Sequence, residues 1–493
     1  MISAHLPVLL VVLPLLAAPL IVLVRRGGFA WGAALAVSWG AFAIALALAA
    51  QVAADGPLSY AIGSWEPPWG IEYRIDAFNA FMLVLVAAVA SVVIPYARVS
   101  VAAEIPGELH YLFYAMFALC FAGLLGIAAT GDAFNLFVFL EISSLSTYVL
   151  IALGRRRQAL LASFQYLVMG TIGATFYVIG VGLLYLATGT LNLADMAQRL
   201  AEVEDLRPVL AALAFISAGI GLKLAMFPVH FWLPNAYAFG PSAIVAFVAA
   251  TATKVSVYVL MRFYFAVFDP SLLFDELPMR EILLALSTLA ILIASLVAVF
   301  QTDLKRMFAY SSVAQIGYIT LGISLANEPG LTGAITHLFN HGVTKGALFM
   351  LLGGVALRAG RTDFAAVAGL SSRMPVTAFG IVVAGLSLVG LPATAGFVSK
   401  WYLVLGSIEQ GAWWIAFLVV GSSLISLAYV WRFVEAAYLS EAGPSSVSKG
   451  EAPAGMLVPA LVLVAACVYF GFDTRWNVGA AREAAQLLME GFG

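Results

Sequence analysis

Four lysines, Lys223, Lys254, Lys345 and Lys400, lie inside long apolar runs of this 493-residue sequence. The chain has six lysines in all, while sixteen of its eighteen arginines fall in loops or the tail, with Lys305 and Arg306 at the edge of the tenth run counted with the loop before it. A charge at the centre of a bilayer costs about 2.5–3.5 kcal/mol even on the lenient insertion scale, so four such positions imply use. Lysine suits proton transfer, because desolvation eases loss of the proton from an amine whereas a guanidinium keeps its charge. The competing reading is snorkelling from a helix end. It does not suit Lys223 and Lys254, which stand well inside runs 208–238 and 241–267.

Glu141 is the one carboxylate deep in an apolar run, nine residues beyond Asp132. Nine residues of helix span about 13–14 Å, which puts it near the bilayer midplane. A lone carboxylate there stays protonated, so Glu141 calls for a buried lysine, with Lys223 as the expected partner. A static packing pair is the alternative. His337, His341 and Lys345 follow at i, i+4 and i+8 and share one helix face, where imidazole and amine can exchange protons. Two histidines so spaced can also share a metal ion, but no cysteine or carboxylate accompanies them, and one helix face cannot bracket a haem. No metal or other cofactor is therefore expected. His230 follows a proline and either belongs to the same wet region or caps freed carbonyls. Lys400 stands twenty-five residues after Pro375, about 37 Å of helix, which places it in the half of the membrane opposite the arginine-rich loops.

Long apolar runs must carry these residues. Hydrophobic side chains make up 63% of the sequence and charged ones 10%, against roughly 25% in a soluble domain. The expectation is an all-α integral membrane protein of about fourteen helices. Their spans are 6–24, 29–54, 77–97, 110–129, 132–153, 160–187, 208–238, 241–267, 282–300, 304–325, 331–357, 375–408, 413–438 and 455–472. The first is read as a retained span, since no convincing cleavage site follows it. The seventh and twelfth are too long for one straight helix and contain Pro228, Pro234 and Pro392, so both are expected to break.

Net charge is −2, which gives no reason to expect nucleic acid as a partner. Cys120 and Cys467 both lie in apolar runs and form no CxxC motif. Alternate loops hold twelve Lys or Arg on one side, including Arg155–Arg157, and six on the other. The positive-inside rule then puts both termini outside, on the periplasmic or extracellular face of a cell membrane. A faint repeat pairs Gly131-Asp132 with Thr302-Asp303, and Gly170, Ala174 and Gly182 with Gly342, Gly346 and Gly354. Its copies would have opposite orientations. Helices 1–3 would occupy 1–109, the two five-helix repeats 110–267 and 282–438, and the last helix with an amphipathic interfacial tail 455–493.

Taken together, several motifs resemble the antiporter-like subunits shared by respiratory complex I, membrane-bound hydrogenases and Mrp-type Na+/H+ antiporters. They are Phe-Leu-Glu141, Lys223 ahead of Phe-Pro-Val-His-Phe-Trp-Leu-Pro-Asn-Ala-Tyr, Ala-Thr-Lys254-Val, the His337/His341/Lys345 face and Gly-Phe-Val-Ser-Lys400-Trp. The segments around Glu141 and Thr188–Asp195 are most similar to the D-type member of the Mrp antiporter, as is lysine at 400, where one complex I subunit carries Glu. The resemblance implies two inverted five-helix units, half-channels joined by a horizontal charged axis, other hydrophobic subunits as partners, and exchange of H+ for Na+ or K+. A proton-pumping subunit of a redox complex is the alternative, and the chain has no redox motif of its own. Asn235 departs from the Asp common in this family, which removes an acidic contact there and leaves the lysine line intact.

Overall fold

The computed structural model describes residues 2–443 and 446–491. Several of its long helices start where a short polar side chain closes the first turn. Asp76 accepts from the amides of Phe78 and Asn79 and opens Ala77–Glu104 with a reciprocal capping box. Asp132 opens Ala133–Ala152, Asp303 opens Leu304–Leu325, and Asn327 opens Glu328–Ala359, each accepting from one first-turn amide. Such caps satisfy amides that a lipid environment cannot.

Thirteen helices among the described residues are long and apolar enough to cross a membrane. The fourteenth crossing is the broken pair Pro375–Val389 and Ala395–Glu409. An even number of crossings leaves both termini on one face and the Arg155–Arg157 loop on the other. A two-stranded antiparallel ribbon, Leu58–Ala61 with Glu72–Ile75, is the one sheet among the described residues, and nothing in the apolar patterning anticipates it. The third, fourth, eighth, tenth and eleventh spans are buried over most of their length, while the first, second, sixth, ninth, thirteenth and fourteenth form the rim. The buried set carries Lys254, His337, His341 and Lys345.

Both expected breaks are present, with one shift. The seventh span is helical over Leu206–Lys223 and resumes at Trp232–Phe239, so Lys223 ends a helix and Pro234 lies within the next one. Lys223 therefore owes its depth to a helix that stops inside the membrane rather than to a place at mid-helix. The eighth span is also interrupted, between Ser242–Ala250 and Ala252–Arg262. No proline marks that break, which is why the sequence reads as one continuous helix there.

The internal repeat has a structural counterpart. Asp132 pairs with Asn192 in an isolated antiparallel bridge, and Asp303 pairs with Asp363 in another. From 132 to 303 and from 192 to 363 the separation is the same 171 residues. The first bridge is on the face of the termini and the second on the opposite face, as inverted units require. The tail helix Arg475–Glu490 is amphipathic as expected, but its apolar face packs on protein. Asn477, Ala481, Ala484, Ala485 and Leu488 are buried, and Trp476 stacks on Phe81.

Candidate functional site

Lys223 is held where two helices cross at glycines. A Cβ on Gly173 would meet the Gly219 carbonyl at 2.8 Å, so only glycine lets these backbones approach this closely. At the end of Leu206–Lys223 the amine donates to Glu141 Oε1 at 3.2 Å and to Ser144 Oγ at 2.8 Å. Its side chain is 4% exposed and that of Glu141 23%. Behind the amine is a cavity of about 20 Å³ lined by Ser143, Ser144, Thr147, Lys223 and Ser256. About 10–15 Å³ suffices for one water when polar partners surround it, as they do here. Ser256 belongs to the helix that carries Lys254, so this polar cavity reaches from the first lysine to the helix of the second.

Lys254 follows the unanticipated break at Thr251 and turns back to it. Its amine donates to the Ala249 carbonyl at 2.5 Å, one of the acceptors that the interruption frees, and contacts Thr253 Oγ1 at 3.3 Å. The break rests directly on the eleventh span. A Cβ on Gly342 would meet the Ala250 carbonyl at 2.8 Å, and one on Gly346 would meet the Ala250 Cβ at 3.6 Å. Those glycines alternate with His341 and Lys345, so the second lysine is docked against the histidine-bearing helix.

The rings of His337 and His341 stack 5.9 Å apart, as the four-residue spacing requires. His337 Nδ1 is 2.7 Å from Ser399 Oγ and its Nε2 is 2.8 Å from Gln315 Oε1. Neither ring nitrogen of His341 has a hydrogen-bond partner among the described residues. Lys345 reaches the tenth span and donates to the Phe308 carbonyl at 2.6 Å and Ser311 Oγ at 2.5 Å. Lys400 reaches back across the twelfth-span break. Its amine donates to the carbonyls of Leu388 and Val389 at 3.2 and 2.9 Å and to Ser423 Oγ at 2.9 Å. Gly390, at φ +84°, ends the first half of that span and leaves those carbonyls free. The ring of Tyr318 lies 4.4 Å beneath the ammonium.

Of the seven residues, Glu141 and Lys223 meet directly, the two histidines stack, and the remaining lysines each bind freed or hydroxyl oxygens. His230 stands apart in the seventh-span break, stacked between Phe227 and Phe231. Asn235 donates to Gln165 Oε1 at 2.8 Å. The hydroxyl and amide partners, Ser144, Ser311, Gln315, Ser399 and Ser423, escape a reading of the sequence alone. So does Lys305, assigned there to a loop, which is buried with its amine 3.0 Å from Ser242 Oγ. The signal available was its position just inside the tenth helix, two residues after the Asp303 cap.

Residues 130–426 match the family described as NADH:quinone oxidoreductase/Mrp antiporter, TM. The chain belongs to that family. It is 44% identical over 487 residues to NADH-quinone oxidoreductase subunit N of Desulforudis audaxviator, covering 95% of this chain and 96% of that protein. It is 31% identical to a Na(+)/H(+) antiporter subunit, the D-type one, of Alkalihalophilus pseudofirmus, covering 88% and 86%. Among solved structures, a chain of the Mrp complex from Dietzia sp. superposes with a TM-score of 0.91 at 25% identity, covering 99% of this chain and 98% of that one. A chain of an archaeal membrane-bound sulfane sulfur reductase gives 0.90 at 29% identity, with the same coverage. The narrower expectation of a D-type Mrp protein thus widens to the family, which spans redox-driven and antiporting assemblies.

Proposed function

We propose that this chain is a proton-translocating membrane subunit of a multisubunit complex. The supporting observation is the polar line from Glu141 and Lys223, through the serine-lined cavity to Lys254, then His341, His337, Ser399 and Lys400. Each amine on it sits beside a carbonyl or hydroxyl that can accept a proton bond without carrying charge. Such sites let a proton arrive and leave, whereas a second full charge would trap it.

Movement along the line follows from the first pair. Glu141 holds Lys223 protonated while the two remain 3.2 Å apart. When they separate, the buried amine loses its counter-ion and releases the proton toward the cavity and Lys254. The imidazoles relay it to Lys400, which stands at the start of the half-helix Ala395–Glu409 that runs to the face of the termini. That face is outside if the twelve-to-six arginine and lysine bias holds, and reporter fusions at residue 156 and at the C-terminus should read inside and outside. Glu141 is partly exposed on the flank of the fifth span, and a carboxylate facing lipid is costly, so a neighbouring subunit covers it.

The 44% identity to a complex I-type relative supports a redox-driven host, and the likeness to the Mrp complex supports an antiporting one. In either host a Na+ path needs another subunit. Hard cations want several oxygen ligands, and this line offers one carboxylate against three lysines and two histidines. Purification of the native complex separates the hosts: soluble iron–sulfur subunits accompany one, and only small hydrophobic subunits the other. Proton movement into everted vesicles tests the function itself. Wild-type rates in Lys223→Ala would refute it.

A further inference from the structure

We propose that the arginine-rich face carries a binding pocket for a phosphate-bearing anion, best matched by the headgroup of an anionic phospholipid. A cavity of about 220 Å³ opens there, lined by Glu104, Arg155, Arg156, Lys305, Pro241 and Gly360 among others. The share of one water in the liquid is about 30 Å³, so the space suits a phosphate with part of its glycerol. The third, fifth and eleventh spans end around it and the eighth begins in it.

Three cations line this space against one carboxylate, and that carboxylate is already engaged. Glu104 accepts from the Ser242 amide at 2.9 Å and from Ser100 Oγ at 2.8 Å. Among the described residues, no carboxylate lies within ion-pair distance of Arg155, Arg156 or Lys305. Arg156 donates to the Gly360 carbonyl at 2.8 Å, Arg155 reaches the Ile105 carbonyl at 3.5 Å, and Lys305 has the Ser242 hydroxyl at 3.0 Å. Carbonyl capping at helix ends explains part of this for the arginines. It does not explain Lys305, a buried ammonium with a neutral hydroxyl as its hydrogen-bond partner beside open space. An anion would complete its coordination, and two guanidiniums at the rim match the fork geometry that phosphate oxygens accept. The membrane supplies such groups at this depth, where basic pockets between helices take anionic headgroups.

The site is separate from the transport line, so binding can be scored without transport. The complex would be purified, delipidated and titrated with phosphatidylglycerol, phosphatidylcholine or inorganic phosphate, following bound lipid phosphorus or labelled phosphate. Phosphatidylglycerol should bind saturably, phosphatidylcholine at least tenfold more weakly, and Arg156→Gln should weaken the former several-fold. Arg156 is exposed, so that variant folds even if Lys305→Gln does not. Saturable binding of phosphate alone, also lost in Arg156→Gln, would support the same chemistry with a soluble source. Equal binding of both lipids, or an unchanged Arg156→Gln titration, would overturn the proposal. Failure of proton transport in the same preparation would touch only the functional reading above.

Discussion

Among the described residues, two buried ion pairs join helices of the first eight spans, and they are built for different ends. Arg262 meets Asp76 through both carboxylate oxygens at 2.9 Å and donates to Asn79 Oδ1 at 2.9 Å, with each side chain of the pair 3% exposed. Its guanidinium lies 5.4 Å from the rings of Phe78 and Tyr258. Asp76 is also the cap of a long helix, so the pair ties the third span to the eighth. Lys223 and Glu141 share a single 3.2 Å contact, beside a hydroxyl and a water-sized cavity, with the carboxylate partly open. One pair is a fixed fork whose cation cannot lose its proton. The other has an amine that can, held by few enough bonds to move. Burial alone does not mark a relay residue; the cation type and the number of its partners do.

Alanine replacements should separate the two most sharply. Glu141→Ala or Lys223→Ala is expected to abolish proton movement in everted vesicles with the complex still assembled, because a buried pair roughly breaks even against apolar replacement when both charges are unneeded. Transport at wild-type rates would make this pair structural like the other. Asp76→Asn keeps the cap but strands the guanidinium, at a cost of about 3–5 kcal/mol. Heat inactivation in detergent should occur many degrees earlier, with the rate per folded molecule unchanged. A stable Asp76→Asn protein that does not transport would put Arg262 on the line.

Exchanging the cations sharpens the same contrast at smaller cost. Lys223→Arg retains charge and can still reach Glu141, yet it should not transport, since the guanidinium holds its proton. Arg262→Lys loses the second bond of the fork, worth about 1.5–3 kcal/mol for a charged donor, and should transport normally from a less stable fold. The comparison is of melting temperature and initial rate on both proteins. It fails if Lys223→Arg works and Arg262→Lys does not.

The sequence made one side of this contrast visible. Apolar runs with proline interruptions set out fourteen crossings and two breaks, because lipid demands both long helices and a reason for every gap. Lysines in those runs stood out for the same energetic reason. Arg262 did not, since a single arginine near the end of the eighth run reads as a rim residue until Asp76 is seen opposite it. The break at Thr251 left no mark either: it is stabilised by Lys254 reaching the Ala249 carbonyl and by the close approach of Gly342, contacts between segments far apart in the chain. Serine partners were invisible because hydroxyls are common in membrane helices and most of them bond their own backbone.

Ser144 tests whether those partners matter, and its effect should be the smallest of the set. It is the shorter of the two contacts to the Lys223 amine, 2.8 Å against 3.2 Å to Glu141. Ser144→Ala removes one acceptor from the ammonium, nominally about 1.5 kcal/mol, or roughly tenfold in an equilibrium. The loss is reduced because Glu141 remains and because a water in the adjoining cavity can take the empty position. Proton movement should therefore slow about three- to fivefold with melting temperature unchanged, and Ser144→Thr, which restores a hydroxyl, should recover most of the rate. The reference pair supplies the control: Asn79→Ala also removes one acceptor from a buried cation, and should lower stability while leaving the rate alone. If Ser144→Ala melts early and Ser144→Thr does not restore the rate, the hydroxyl serves packing, and Lys223 has lost its claim to differ from Arg262 in more than its partner count.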